Sequence, residues 1–208
     1  MGDKAAIAAR DTKVASFTGV TGSGKSFKAR DVAKGLSKVV DRVLVITYAG
    51  AGDTWDDCKK IAPTEKDLKF KSGWKKINFV EHEDECNPLE EVYKHYRNGV
   101  LILDDCSMYL SASWAATPGL KMTLIDHRFN GIDILFIAHS PVHIPKQCWA
   151  YIKFSWIFKC TSQLKKDDMP IDNFQKFLMV QNEINRKFDE EEKRIKEKPR
   201  GIYSYITI

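Results

Sequence analysis

No stretch of this chain offers the ~18 consecutive apolar residues that cross a bilayer, and its first residues carry no apolar core of a secretory leader. No Cys-x-x-Cys pair occurs. The five cysteines (Cys58, Cys86, Cys106, Cys148, Cys160) are odd in number, which argues against both a disulfide framework and a zinc site and points to reduced thiols. The expectation is a soluble, intracellular protein. Internal repeats and low-complexity linkers are also missing, so nothing divides the 208 residues, and 43% hydrophobic content suffices for one sizeable core. Neither sign of charge dominates: 33 Lys and Arg stand against 28 Asp and Glu, for a net +5. The pI near 8.8 permits a polyanionic partner without requiring one.

What is present is Gly19-Val20-Thr21-Gly22-Ser23-Gly24-Lys25-Ser26, a fit to G-x-x-x-x-G-K-[ST]. Glycines let successive backbone N–H groups turn inward on a phosphate chain, and the following helix adds its positive N-terminal end. Lys25 is then expected on the β- and γ-phosphates of a nucleotide and the Ser26 hydroxyl on Mg²⁺. The context agrees. An apolar run, Val14-Ala15-Ser16-Phe17, precedes the loop, and Ala29, Val32, Ala33 and Leu36 mark one helix face after it.

Arg42 to Tyr48 is a near-continuous apolar run suited to a strand covered on both faces, with a turn-rich exit at Ala49–Gly52. From Trp55 to Phe79, Lys59, Lys60, Lys66, Lys69, Lys71, Lys75 and Lys76 interleave with Trp55, Phe70 and Trp74. Such a stretch fits a nucleic-acid track, with cations on phosphates and rings on bases, or else a solvated surface anchored by its aromatics. The acids Glu81, Glu83, Asp84 and Glu85 beside His82 and Cys86 read as an exposed acidic loop rather than a metal site.

Pro88 to Arg97 reads as a helix ending at Asn98-Gly99. Val100-Leu101-Ile102-Leu103 then ends in Asp104-Asp105, as a buried parallel strand delivers carboxylates to a ligand-binding edge. Asp104 is the candidate Mg²⁺ ligand and Asp105 the group that orients or deprotonates water; in isolation either could be a plain strand-end cap. Cys106 to Trp114 reads as a loop or short helix.

Thr117-Pro118 starts a helix expected to run to Phe129. Ile132 to Ala138 is another buried strand, and His139 at its end either contacts the γ-phosphate or caps the strand. Tyr151 to Cys160 is a fifth strand candidate. Asp172 opens a long helix with Phe174, Phe177, Leu178, Ile184 and Phe188 on one face and Glu190/Arg194 and Glu192/Lys196 pairs beyond. After Pro199, Ile202 to Ile208 alternates like an edge strand. Strands alternating with helices predict an α/β fold: residues 1–13 an arm, 14–170 the core, and 171–208 a helix-and-strand extension.

The phosphate loop, the Leu103-Asp104-Asp105 strand end and the run His127–Ile134 leading to Ala138-His139-Ser140-Pro141 resemble the FtsK–HerA superfamily of DNA-pumping ATPases. The likeness spans about residues 14 to 160. It is nearest to the viral genome-packaging ATPases, and the Zot-like assembly proteins of filamentous phages are also similar. This resemblance implies a P-loop NTPase three-layer sandwich whose mostly parallel sheet is of the additional-strand type, with a strand between the phosphate loop and the acids. It implies ATP and Mg²⁺ as cofactors, DNA as the moved polymer, and a pentameric or hexameric homo-oligomeric ring, with capsid or portal-vertex proteins as further partners. The setting it implies is the cytoplasm of a host cell or the virion. Asp105 stands where many relatives carry glutamate, and His139 where they often carry glutamine. Arg128 is the candidate finger for a neighbour's active site, or else a helix-surface arginine. The absence of a spanning segment favours the packaging branch. Two other functions stay open: a nucleoside or nucleotide kinase, and a nucleotide-switched assembly protein without motor activity.

Overall fold

The computed structural model describes residues 11–48, 53–82, 84, 86–110 and 117–208. Most of the expected N-terminal arm, the Ala49–Gly52 exit, Glu83, Glu85 and residues 111–114 of the expected loop lie outside the described residues.

The apolar runs become strands because each is buried on both faces and only a paired backbone satisfies its amides there. They are β1 (Val14–Thr18), β2 (Arg42–Thr47), β5 (Gly99–Leu103) and β6 (Ile132–Ala138), joined by β3 (Lys59–Lys60), β4 (Gly73–Asn78), β7 (Phe154–Ile157) and β8 (Ser204–Thr207). The eight form one sheet in the order β3-β4-β2-β5-β6-β1-β7-β8. Every pairing is parallel except β7 with β8. β6 separates β1 from β5, with Phe136 level with Ser16 on one side and Leu103 on the other. That is the additional strand expected between the phosphate loop and the acids.

Helices α1 (Lys25–Val40), α2 (Glu65–Leu68), α3 (Pro88–His95), α4 (Pro118–Ile125) and α5 (Phe174–Ile195) complete the chain. On one face of the sheet, Ala29 and Ala33 of α1 pack with Phe17, Val45, Ile102, Leu135 and Ile137. On the other, Leu89 and Val92 of α3, Leu120 and Leu124 of α4 and Phe174 and Phe177 of α5 cover Leu101, Leu103, Ile134 and Phe136. Alternate residues of one strand thus feed opposite cores, which makes the three layers.

Three expectations are corrected. α4 stops at Ile125 rather than Phe129. Asn98 N–H donates to Asn130 O (2.9 Å) and Ile132 N–H to His127 O (2.8 Å), so the chain turns at 127–130 to enter β6. The Thr117 hydroxyl makes no capping bond. At the end of α5, Arg194 pairs with Glu191 instead of Glu190, while Glu190 pairs with Arg186 and Glu192 faces Lys159 at 3.7 Å.

The backbone of α3 lies directly against Gly119 of α4. A methyl group there would meet the backbone N of Glu90 and C of Leu89 at 2.5 Å. Helix propensity alone favours alanine by about 1 kcal/mol, but a backbone clash cannot be relieved by a rotamer change. Gly119→Ala should therefore destabilise the fold by about 1–3 kcal/mol in urea unfolding; a gain in stability would show that the helices can part at no cost.

Candidate functional site: a phosphate-loop pocket at the strand ends

Leaving β1, the chain enters the loop at Gly19, whose N–H donates to Ala138 O of β6 (3.2 Å). Val20 N–H donates to Lys159 O just beyond β7 (2.7 Å). The loop is thereby clamped between the exits of the two strands that flank β1. At Gly19 a side chain would lie 2.5 Å from Phe158 Cβ and 2.7 Å from Lys159 O, so only glycine fits. Gly22 and Gly24 hold φ of 79° and 98°, which rolls the backbone into a cradle ahead of α1.

Lys25, at the first position of α1, is only 6% exposed, and its Nζ donates to Val20 O across the loop (3.0 Å). Burial pushes its ammonium down to about 8, opposed by the charges of Asp105 and Asp104 and assisted by that of Lys198.

Asp104, at the end of β5, is 5% exposed. Its Oδ1 accepts the Ser26 hydroxyl (3.2 Å) and the Asp105 N–H (3.1 Å), and its Oδ2 accepts Trp55 Nε1–H (2.5 Å). Burial raises the carboxyl above its usual range, with the Asp105 charge acting the same way; the Trp55 and Ser26 bonds and the Lys25 charge oppose it. A buried carboxylate beside a hydroxyl is a hard-oxygen pair of the type that holds Mg²⁺.

Asp105 takes a left-handed conformation (φ 49°) and turns from Asp104 toward the exit of β6. There its Oδ1 lies 3.1 Å from His139 Nε2, and the other ring nitrogen lies 3.2 Å from Thr21 Oγ1. A continuous polar chain, Asp105–His139–Thr21, spans the mouth of the loop.

Lys25, Ser26, Asp104, Asp105 and His139 therefore converge, although they come from three separate segments. Arg128 does not join them. It is exposed in the turn before β6, whereas His139 follows the far end of that strand. Seven strand residues at ~3.3 Å each separate the two. Its neighbour Phe129 is 84% exposed.

Sequence reasoning missed Trp55 as part of the site. Instead of presenting a face for stacking, Trp55 is buried between Trp74 (6.2 Å between rings) and the Arg30 guanidinium (5.9 Å), and its N–H is spent on Asp104. Arg30 is tied to Thr54 O and Asp57. Of the other aromatics in that stretch, Phe70 and Trp74 pack against the two cores. The interleaved lysines are exposed or engaged locally, Lys60 with Glu81, Lys69 with Glu65, Lys76 with Asp56 and Lys75 over the Phe70 ring. The arrangement is that of a solvated surface anchored by its rings. No group of three His, Cys, Asp or Glu among the described residues is disposed to hold a metal ion. No helix among them is long and apolar enough to cross a membrane.

Comparison with known proteins bears on this architecture. The family model for zonular occludens toxin (Zot) matches residues 13–164. Among solved structures, the genome packaging NTPase B204 of Sulfolobus turreted icosahedral virus 2 superposes in its AMP complex with a TM-score of 0.59 at 13% identity, over 84% of this chain and 87% of that one. Its ATPγS complex gives 0.57 at 13% identity, over 94% and 91%. B204 of Sulfolobus turreted icosahedral virus, described as a DNA-packaging ATPase, gives 0.54 at 16% identity, over 75% and 78%. At these identities the likeness establishes the P-loop NTPase fold. No curated protein sequence gives a significant match.

Two outcomes follow from the buried charges. A polyphosphate anion needs the Lys25 ammonium, so affinity for inorganic tripolyphosphate, taken relative to Lys25→Met to cancel the ligand's own titration, should be flat below pH 8 and fall above it, approaching tenfold per pH unit. Calorimetric titrations between pH 6.5 and 9.5 check this; a flat profile would place the proton elsewhere. Trp55→Phe removes a donor from a buried carboxylate and part of the buried indole's bulk, and should cost about 2–4 kcal/mol in urea unfolding. The cost should be smaller in an Asp104→Asn background, where the charge is gone and the packing loss remains.

Proposed function

This chain belongs to the zonular occludens toxin family, and from that membership and the geometry of its site we propose that it is an ATP-driven DNA translocase that packages a viral genome into a preformed capsid. The observation that carries the proposal is the Ser26–Asp104 contact, which joins the phosphate loop to the strand-end acids beside a buried lysine. Catalysis of phosphoryl transfer is chiefly positioning and charge stabilisation, and both need these groups fixed in advance.

Residues 14–170 act as the ATPase core and 171–208 as its extension. Backbone N–H groups of Gly19 to Ser26 cradle the phosphates, and Lys25 leaves the Val20 carbonyl to pair with the β- and γ-phosphate oxygens. Ser26 and Asp104 hold Mg²⁺, which when bound neutralises charge developing on those oxygens. Asp105 orients the attacking water and accepts its proton, and His139 stands as its partner and as a reporter of the γ-phosphate. Arg128, remote from its own site, serves the site of a neighbour in a pentameric or hexameric ring, with DNA passing through the centre. Capsid or portal-vertex proteins anchor the ring in the cytoplasm of the host cell or on the virion.

The kinase alternative calls for an arginine-bearing lid. Between β6 and β7 this chain has two short 3₁₀ turns, Pro141–His143 and Lys146–Ala150, and no arginine.

Purified protein should hydrolyse ATP, faster with DNA, and Lys25→Ala or Asp104→Ala should lower the rate at least ~100-fold. Nucleotide binding with no hydrolysis in any assembly state, DNA included, would instead assign a switch. Phosphate transfer to a nucleoside or nucleotide would assign a kinase.

A further inference from the structure

The mouth of the phosphate loop has two rims. On one stand Asp104, Asp105 and His139, backed by Trp55. On the other lies the strap that joins α5 to β8, which the proposed chemistry leaves unused. This strap is pinned to the loop and to α1: Pro199 is buried, and Gly201 N–H donates to Ser23 O at 3.2 Å. The Tyr203 ring packs 5.2 Å from Phe158 and receives Lys28 Nζ at 4.9 Å.

Lys198 leads the strap and runs flush along the loop. A methyl group on Gly22 would lie 3.6 Å from its Cδ, 3.8 Å from its Cε and 3.7 Å from its Nζ, so stem and head both follow the backbone. Lys198 is exposed. A phosphate chain whose end lies among Lys25, Asp105 and His139 must lead its remaining atoms away from those acids. Among the described residues, Lys198 and the strap lie against the loop on a side away from those acids.

We propose that the strap from Lys198 to Tyr203 is the sugar-and-base wall of the nucleotide site, and that Lys198 contributes its methylene stem as a surface on which ribose and base lie. Long cationic side chains cover apolar surface in this way while their heads stay in water. This rests on the nucleotide-binding function proposed above. It assigns to the C-terminal segment the contact that distinguishes a nucleotide from a bare polyphosphate, a contact that no sequence motif of the chain announces.

Calorimetry on the full chain with ATP and with inorganic tripolyphosphate separates the possibilities, because tripolyphosphate has no sugar or base. Lys198→Met removes the charge beside the loop and keeps a long stem, so it sets the electrostatic baseline for both ligands. Relative to Lys198→Met, Lys198→Ala should weaken ATP about fivefold to tenfold further, in line with the loss of several methylenes covered by the ligand, and weaken tripolyphosphate no further. Lys198 is exposed, so both variants should melt with the unmodified chain, and the melts are recorded alongside. Equal ATP affinity in Lys198→Met and Lys198→Ala, or an equal further loss for the two ligands on going from Lys198→Met to Lys198→Ala, would each overturn the inference. These results differ from failure of the unmodified chain to bind ATP, which would remove the nucleotide site itself.

Discussion

The hydrogen bond from Ser26 to Asp104 is the contact on which the rest of this molecule turns. It links the first turn of α1 to the end of β5, two elements 78 positions apart in the chain. Reaching it requires the sheet order found here. α1 starts at the exit of β1 and packs back over β6 and β5, so its first turn faces the β5 end only because a single strand separates β5 from β1. The registers set the height: Leu103 is level with Phe136, and Phe136 with Ser16. A shift of one residue in either pairing would send Asp104 to the other face of the sheet.

The same contact lies in a region that works against stability. A carboxylate 5% exposed and an ammonium 6% exposed share the pocket. Depressing Lys25 from 10.5 to about 8 amounts to about 3 kcal/mol of disfavoured charge. The sign is that of a base made less basic by folding: the penalty is present in full below pH 8 and is relieved as pH rises from 8 to 10.5. Below pH 8 an anion in the loop offsets it by giving the ammonium a charge partner. Asp104 has three donors to offset its burial, of which the Trp55 indole is the shortest contact. The pocket is thus organised before any ligand arrives, and part of the free energy of binding is stored as an unfavourable lysine.

Much of this was legible in the sequence, for reasons specific to each element. β2, β5 and β6 are buried on both faces, so their residues run apolar without interruption and mark both position and type. The loop motif fixed Lys25 and Ser26, and the paired acids after an apolar run marked the end of β5. β4 escaped notice because only Ile77 of its six residues is fully buried and Lys75 and Lys76 interrupt the pattern. α4 was read too long because its periodicity continues into Phe129, whereas the bonds that end it come from Asn98 and Ile132, partners that local pattern cannot reveal. Trp55 was the hardest to see. Its indole is a site residue only because the chain after β2 folds back over α1 onto Asp104, and nothing in the composition of a lysine-and-tryptophan stretch encodes that return.

The placement of Arg128 constrains how copies of this chain can cooperate under the proposed assembly. The phosphate loop and His139 lie at the carboxyl ends of the parallel strands, and Arg128 lies in the turn at the opposite edge. In a two-fold dimer any contact of Arg128 with a pocket occurs twice, once from each copy, and the assembly stops at two. In the proposed ring a head-to-tail contact instead sets Arg128 of one copy against the pocket of the next. Repeated with a closing rotation, that contact makes a ring in which every site is completed by its neighbour. The exposed Phe129 beside Arg128 supplies apolar area at the required edge. Under the proposed assembly, the strand that holds Asp104 in register would also set the distance between the two halves of a shared site, so the order of the sheet would bear on assembly as well as on chemistry.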